Sequence, residues 1–161
     1  MSTVAEFPAP TLNAPTESPN RAPTRAPQRS EPAASARRNA IDWFEIPVVD
    51  LDRAQFFYEF LLCVPMRRES IAGSRLALFQ YDGEGGGAGG CLYAGPYAPQ
   101  PSESGTLIYL NAGPSLDEVL SRVHAAGGRI VTPKVQLPGD MGVYAHIVDS
   151  EGNRIGLHAP V

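Results

Sequence analysis

Apolar and polar residues alternate through two short runs near the end of the chain, on either side of Asp149-Ser150-Glu151-Gly152-Asn153. This turn-rich segment, in which Gly152 can take a positive φ, predicts a β-hairpin. Val143, Ala145 and Ile147 share its apolar face with Ile155, Leu157 and Ala159, while Tyr144, His146, Arg154 and His158 fall on the other. Upstream, residues 41–49 also alternate, with Phe44, Ile46 and Val48 opposite Trp43 and Glu45. Asp50 reads as an N-cap, and Leu51, Ala54, Phe57, Tyr58, Leu61 and Leu62 recur at helical spacing up to Pro65. Strands are expected at 66–70, 75–80 and 91–93, with a glycine-rich mobile loop at 81–90, suited to be a lid.

From Gly105 the order begins again. Residues 105–110 read as a strand, and Ser115 and Glu118 form a capping box. Leu116, Val119, Leu120 and Val123 make the helix stripe, and Gly127-Gly128 ends it. Strands follow at 129–136, 144–149 and 154–158. The expectation is an α+β fold of two βαβββ modules, about 41–94 and 105–159, within one domain spanning 40–161. Each helix must cover one face of its own sheet, which leaves the opposite faces free. If the sheets curl together, those faces make a cavity-bearing trough lined by Trp43, Glu45, Tyr93, Thr106, Ile108, Tyr144, His146, Arg154, Gly156 and His158. Aromatic walls with a few placed polar groups suit a small-molecule ligand.

Composition narrows the classes. The 161 residues carry a net charge of -4, which gives no reason to expect nucleic acid as a partner. No apolar run approaches the roughly 20 residues of a membrane span, so no membrane association is expected and the location is read as cytoplasmic. Cys63 and Cys91 do not suggest a disulfide framework, and Cys91 reads as a small buried residue rather than a nucleophile. Residues 1–39, rich in Pro, Ala, Ser, Thr and Arg, are expected to form a disordered, mildly basic tail.

The segments Trp43 to Leu51, Phe57-Tyr58, Ala125 to Gly128 and Asp149 to His158 resemble the vicinal oxygen chelate superfamily, which includes glyoxalase I, bleomycin- and fosfomycin-resistance proteins and extradiol dioxygenases. The resemblance implies the paired-module fold, association as a homodimer, and metal ligands at Trp43, Gly90 or Cys91, Thr106 and Gly156. Tryptophan, threonine and glycine side chains do not hold a divalent ion, so no cofactor is expected at those positions. The leading reading is therefore a protein that binds a small organic molecule, with Trp43, Tyr93, Thr106, Tyr144 and Arg154 as ligand contacts. An alternative is a lyase, isomerase or dioxygenase. Glu45, His146 and His158 would then be catalytic, by proton transfer or as a displaced site for zinc, nickel or iron. Against both stands a structural Glu45–Arg154 ion pair. A third class is a regulatory module that docks a partner through the basic tail.

Overall fold

The computed structural model describes residues 40–160, and the tail expected at 1–39 lies outside them. The elements run β1 (Trp43–Pro47), α1 (Leu51–Leu62), β2 (Arg67–Ile71), β3 (Ser74–Leu78), β4 (Gly89–Ala94), β5 (Tyr109–Asn111), α2 (Leu116–Ala126), β6 (Arg129–Gln136), β7 (Val143–Val148) and β8 (Arg154–Ala159). They form two four-stranded mixed sheets, ordered β1-β4-β3-β2 and β5-β8-β7-β6, with β1–β4 and β5–β8 parallel. The βαβββ order expected from the sequence thus occurs twice.

Each helix starts where its cap places it. The Asp50 carboxylate accepts from the N–H groups of Asp52 and Arg53 at 3.0 and 3.1 Å, and the Ser115 hydroxyl accepts from Glu118 N–H at 3.3 Å. Such caps contribute about 1 kcal/mol each. α1 stops at Leu62 because Cys63 turns left-handed at φ 56, and α2 stops at Gly127, φ 99. Leu51, Ala54, Phe57, Tyr58 and Leu61 of α1 bury against one sheet face, as do Leu116, Val119 and Val123 of α2. Each large apolar side chain so buried contributes roughly 1.5–3 kcal/mol.

Hydrogen bonds at the strand ends fix how the modules correspond. Val48 N–H reaches Tyr93 O at 3.0 Å, and Ala112 N–H reaches His158 O at 2.8 Å. With Glu45 opposite Cys91 and Tyr109 opposite Gly156, Glu45 corresponds to Tyr109, Cys91 to Gly156, and Tyr93 to His158.

Among the described residues no strand of one sheet touches a strand of the other, so the sheets do not close into one trough within the chain. The modules meet where α1 packs on α2 and where the turn after β7 reaches the start of α1. There the Glu151 carboxylate, its side chain fully buried, accepts from the N–H groups of Val49 and Asp50 and from Arg53 Nε, at 2.9, 3.0 and 2.6 Å. Asn153 Nδ2 donates to Pro47 O at 2.9 Å, and the Tyr58 hydroxyl donates to Asp149 at 2.7 Å.

Two stretches differ from their expected form. Gly89 and Gly90, read as loop, belong to β4. The rings of Trp43 and Phe44 lie over them, at 2.5 and 2.3 Å from where a Cβ would stand, so a side chain at either position would displace the ring above it. The strand expected at 105–110 is regular only from Tyr109. Gly105 has φ +116, and the approach segment is held instead by Arg154 N–H to Ser102 O and Gly156 N–H to Ile108 O, at 3.2 and 2.8 Å.

Candidate ligand-binding site

The exposed face of the second sheet carries a polar cluster. Register places Tyr144 beside His158, and His146 beside Gly156 and Thr132. Because Gly156 has no side chain, the Tyr109 ring lies on it, with a ring carbon 2.4 Å from where a Cβ would stand. From there its hydroxyl reaches His146 Nε2 at 2.9 Å. The other imidazole nitrogen, Nδ1, meets Arg154 Nη2 at 3.0 Å and the Thr132 hydroxyl at 3.1 Å. Arginine carries no acceptor, so Nδ1 must be the unprotonated nitrogen and Nε2 the one bearing hydrogen. Partial burial, reinforced by the Arg154 charge, lowers the His146 pKa and favours this neutral form. Tyr144 packs near both rings, with centroids 6.1 Å from Tyr109 and 5.2 Å from His146. Arg154 Nε is buried, with no hydrogen-bond partner among the described residues. His158 turns aside and donates from Nε2 to Met141 O at 2.6 Å.

The first sheet's exposed face is chemically quieter. Trp43 lies over Gly89 and meets Tyr81 edge-on, with centroids 6.2 Å apart. Glu45 is exposed beside Cys91, whose buried thiol is pushed up to about 11 by desolvation and then by the Glu45 charge, against an opposing Trp43 hydrogen bond. Such a thiol is almost wholly protonated at neutral pH and is a poor nucleophile. The Tyr93 hydroxyl accepts from Ser74 Oγ at 3.2 Å.

Of the residues singled out from sequence, Tyr144, His146 and Arg154 come together. His158 shares their face but points into the Met141 loop. Trp43, Glu45 and Tyr93 stand on the other sheet, so Glu45 meets neither histidine nor Arg154 within the chain. Thr106 is exposed ahead of β5. Ile108, expected to face the trough, packs against the core. The residue that sequence reasoning passed over is Tyr109. Its signal was present, since Ile108 and Leu110 read together with Ala112 make one apolar face and put Tyr109 opposite.

The donor set does not fit a divalent cation where the family resemblance implies one. The Trp43 indole lies over Gly89, the Phe44 ring covers Gly90, the Tyr109 phenol covers Gly156, and Cys91 holds its proton. Among the described residues no three His, Cys, Asp or Glu side chains converge. A separate apolar cavity of about 610 Å³ opens on the helix side, between the modules. It is walled by Phe44, Tyr58, Leu62, Phe79, Ile108 and Val119, and among the cluster residues only Tyr109 borders it.

Two open mixed sheets, each backed by one helix and bearing side chains on its free face, define a paired βαβββ protein. The chain belongs to the Glyoxalase/Bleomycin resistance protein/Dioxygenase superfamily, whose family model matches residues 40–157. Solved structures share the fold. A glyoxalase/bleomycin resistance protein/dioxygenase domain from Frankia sp. superposes with TM-score 0.59 at 18% identity, covering 76% of this chain and 93% of its own. The antibiotic-binding protein TnmS3 from a Streptomyces species gives 0.55 at 21%, covering 76% and 97%. A glyoxalase I variant from Zea mays gives 0.57 at 22%, covering 73% of this chain and 44% of its own, so the chain spans less than half of that protein. No curated protein matches the sequence. No helix among the described residues is long and apolar enough to cross a membrane.

Proposed function

We propose that this protein binds a small organic molecule on the exposed sheet faces, and that a homodimer completes the site by setting the first module's face of one copy over the second module's face of the other. The observation that carries the reading is the Tyr109–His146–Arg154 cluster. Its polar atoms are oriented by one another, yet Tyr109 remains 50% exposed. Aromatic surface beside a few fixed polar groups is what a small-molecule site requires. A dimer would also cover Trp43, 41% exposed, which a single chain leaves in water. The fold shared with an antibiotic-binding protein supports capture of a ligand, for which the cluster suffices without a metal.

A thermal-shift screen against antibiotics, aldehyde–thiol adducts and catechols tests the reading. A true ligand raises Tm in the wild type and fails to do so in His146→Ala with Tyr144→Ala. A ligand that stabilises both proteins equally would place binding elsewhere, the helix-side cavity first. Sedimentation equilibrium tests the assembly, and a monomer at all micromolar concentrations would remove the dimer from the proposal.

A further inference from the structure

We infer that Tyr109 donates a hydrogen bond from its hydroxyl to the ligand, and that the molecule recognised on this face is a planar aromatic bearing a phenolate-type oxyanion. This rests on the ligand-binding reading above and specifies its chemistry.

The argument is one of hydrogen-bond direction. Arg154 Nη2, 3.0 Å from His146 Nδ1, can only donate, so Nδ1 must accept. The Thr132 hydroxyl, 3.1 Å from the same atom, therefore cannot receive a proton from it. The single imidazole hydrogen is left on Nε2, where it points at the Tyr109 oxygen 2.9 Å away. A phenol that accepts there must direct its own hydrogen elsewhere, and half of Tyr109 is open to solvent. A hydroxyl polarised by accepting one hydrogen bond is a better donor in the next.

Charge and shape select the acceptor. The cluster carries the Arg154 cation, and among the described residues no carboxylate is bonded to Tyr109, Thr132, Tyr144, His146 or Arg154. A developed negative charge on the ligand oxygen is therefore favoured over a neutral or cationic group. Tyr144 stands edge-on to Tyr109 with centroids 6.1 Å apart, giving a flat ligand ring an aromatic wall. Tyr109 is then the ligand contact, and His146 and Arg154 are positioning residues that act through it.

The test has two arms. In the first, nitrogen-15 NMR of the full-length protein at pH 7.5 reads the His146 ring. The expected result is hydrogen on Nε2 and a bare Nδ1, kept in Arg154→Lys and lost as a single form in Arg154→Met. Hydrogen on Nδ1 in the wild type would overturn the inference. In the second, 4-nitrophenol is compared with 4-nitroanisole, which has the same ring and no ionisable oxygen. The phenol is expected to bind at least tenfold more tightly. Its yellow anion should form at lower pH when bound than when free. Tyr109→Phe should erase both effects and leave nitroanisole affinity within about twofold. Arg154→Lys should recover part of the preference that Arg154→Met loses. Equal binding of the two probes to wild type would sink the oxyanion assignment while sparing ligand binding itself. Equal loss of both in Tyr109→Phe would reduce Tyr109 to a structural wall. Binding of neither probe would overturn the ligand class, leaving the broader reading to the thermal-shift screen.

Discussion

The two modules fold on one template and differ at two pairs of corresponding positions, Glu45 against Tyr109 and Cys91 against Gly156. In the first, Glu45 stands beside Cys91, and the buried thiol fills the floor of the sheet. In the second, Tyr109 stands beside Gly156, and the absent side chain lets the phenol lie down on the strand and reach His146. What lies beneath a residue thus decides which chemistry its face can carry. One face is a passive wall with an exposed carboxylate, and the other is an oriented hydrogen-bond relay.

The comparison can be broken most severely at what the modules share. Asp149 is 4% exposed and accepts from the Tyr58 hydroxyl, Glu151 N–H and Asn153 N–H at 2.7, 2.9 and 2.8 Å. Asp149→Ala strands these donors and should lower the free energy of unfolding by roughly 3 kcal/mol. Urea denaturation checks this, with both modules expected to melt in one transition. Tyr58→Phe should cost less, about 1–2 kcal/mol, because Asp149 keeps its remaining donors.

The next effect sharpens the contrast. Gly156→Ala pushes a methyl into Tyr109, and Gly89→Ala pushes one into Trp43, at 2.4 and 2.5 Å respectively. Each should cost roughly 1–3 kcal/mol, the usual range for overpacking. Only the first should abolish the preference for 4-nitrophenol over 4-nitroanisole. If both variants lose that preference alike, the modules are not chemically distinct.

Much of this architecture was legible in the sequence because it rests on periodicity and caps. The hairpin faces, both helix starts and the βαβββ order follow from the parity of Val143 to Ala159, from Asp50 and Ser115, and from two apolar stripes. Long-range partnerships were less legible. Gly89 and Gly90 end a glycine-rich run, and nothing local distinguishes a glycine that serves a loop from one lying under an aromatic ring. Asp149, Glu151 and Asn153 look like turn formers. Their second role, tying β1 and α1 to the hairpin, depends on residues roughly a hundred positions away. The Tyr109 relay was hidden by a slip of one residue in the strand expected at 105–110, which turned Ile108 outward. That slip also concealed why His146 and Arg154 matter together.

A smaller effect belongs to the relay alone. The His146 pKa is lowered from 6.5, first by burial and then by Arg154. The unfolded chain therefore binds more protons than the native one as pH falls past 6.5. This contribution to stability is fully present above that value and is lost as pH drops through the lower, folded pKa. Its slope cannot exceed one proton, about 1.4 kcal/mol per pH unit. Chemical denaturation of wild type and His146→Gln between pH 5 and 8 should show the wild type losing more stability on the acid side. Parallel curves would mean that neither burial nor the Arg154 charge holds the ring neutral.

The smallest effect tests the quiet module. Cys91 corresponds to Gly156, but its thiol is buried and pushed up to about 11, whereas Cys63 is exposed at the end of α1. At pH 8 iodoacetamide should modify Cys63 within minutes and leave Cys91 untouched in the native protein, since both access and thiolate are lacking there. Mass spectrometry should find one label per chain, and two after unfolding. Rapid native labelling of Cys91 would mean that the floor of the first sheet opens readily. The contrast between a filled floor and a bare one would then not explain why only the second module orients its polar groups.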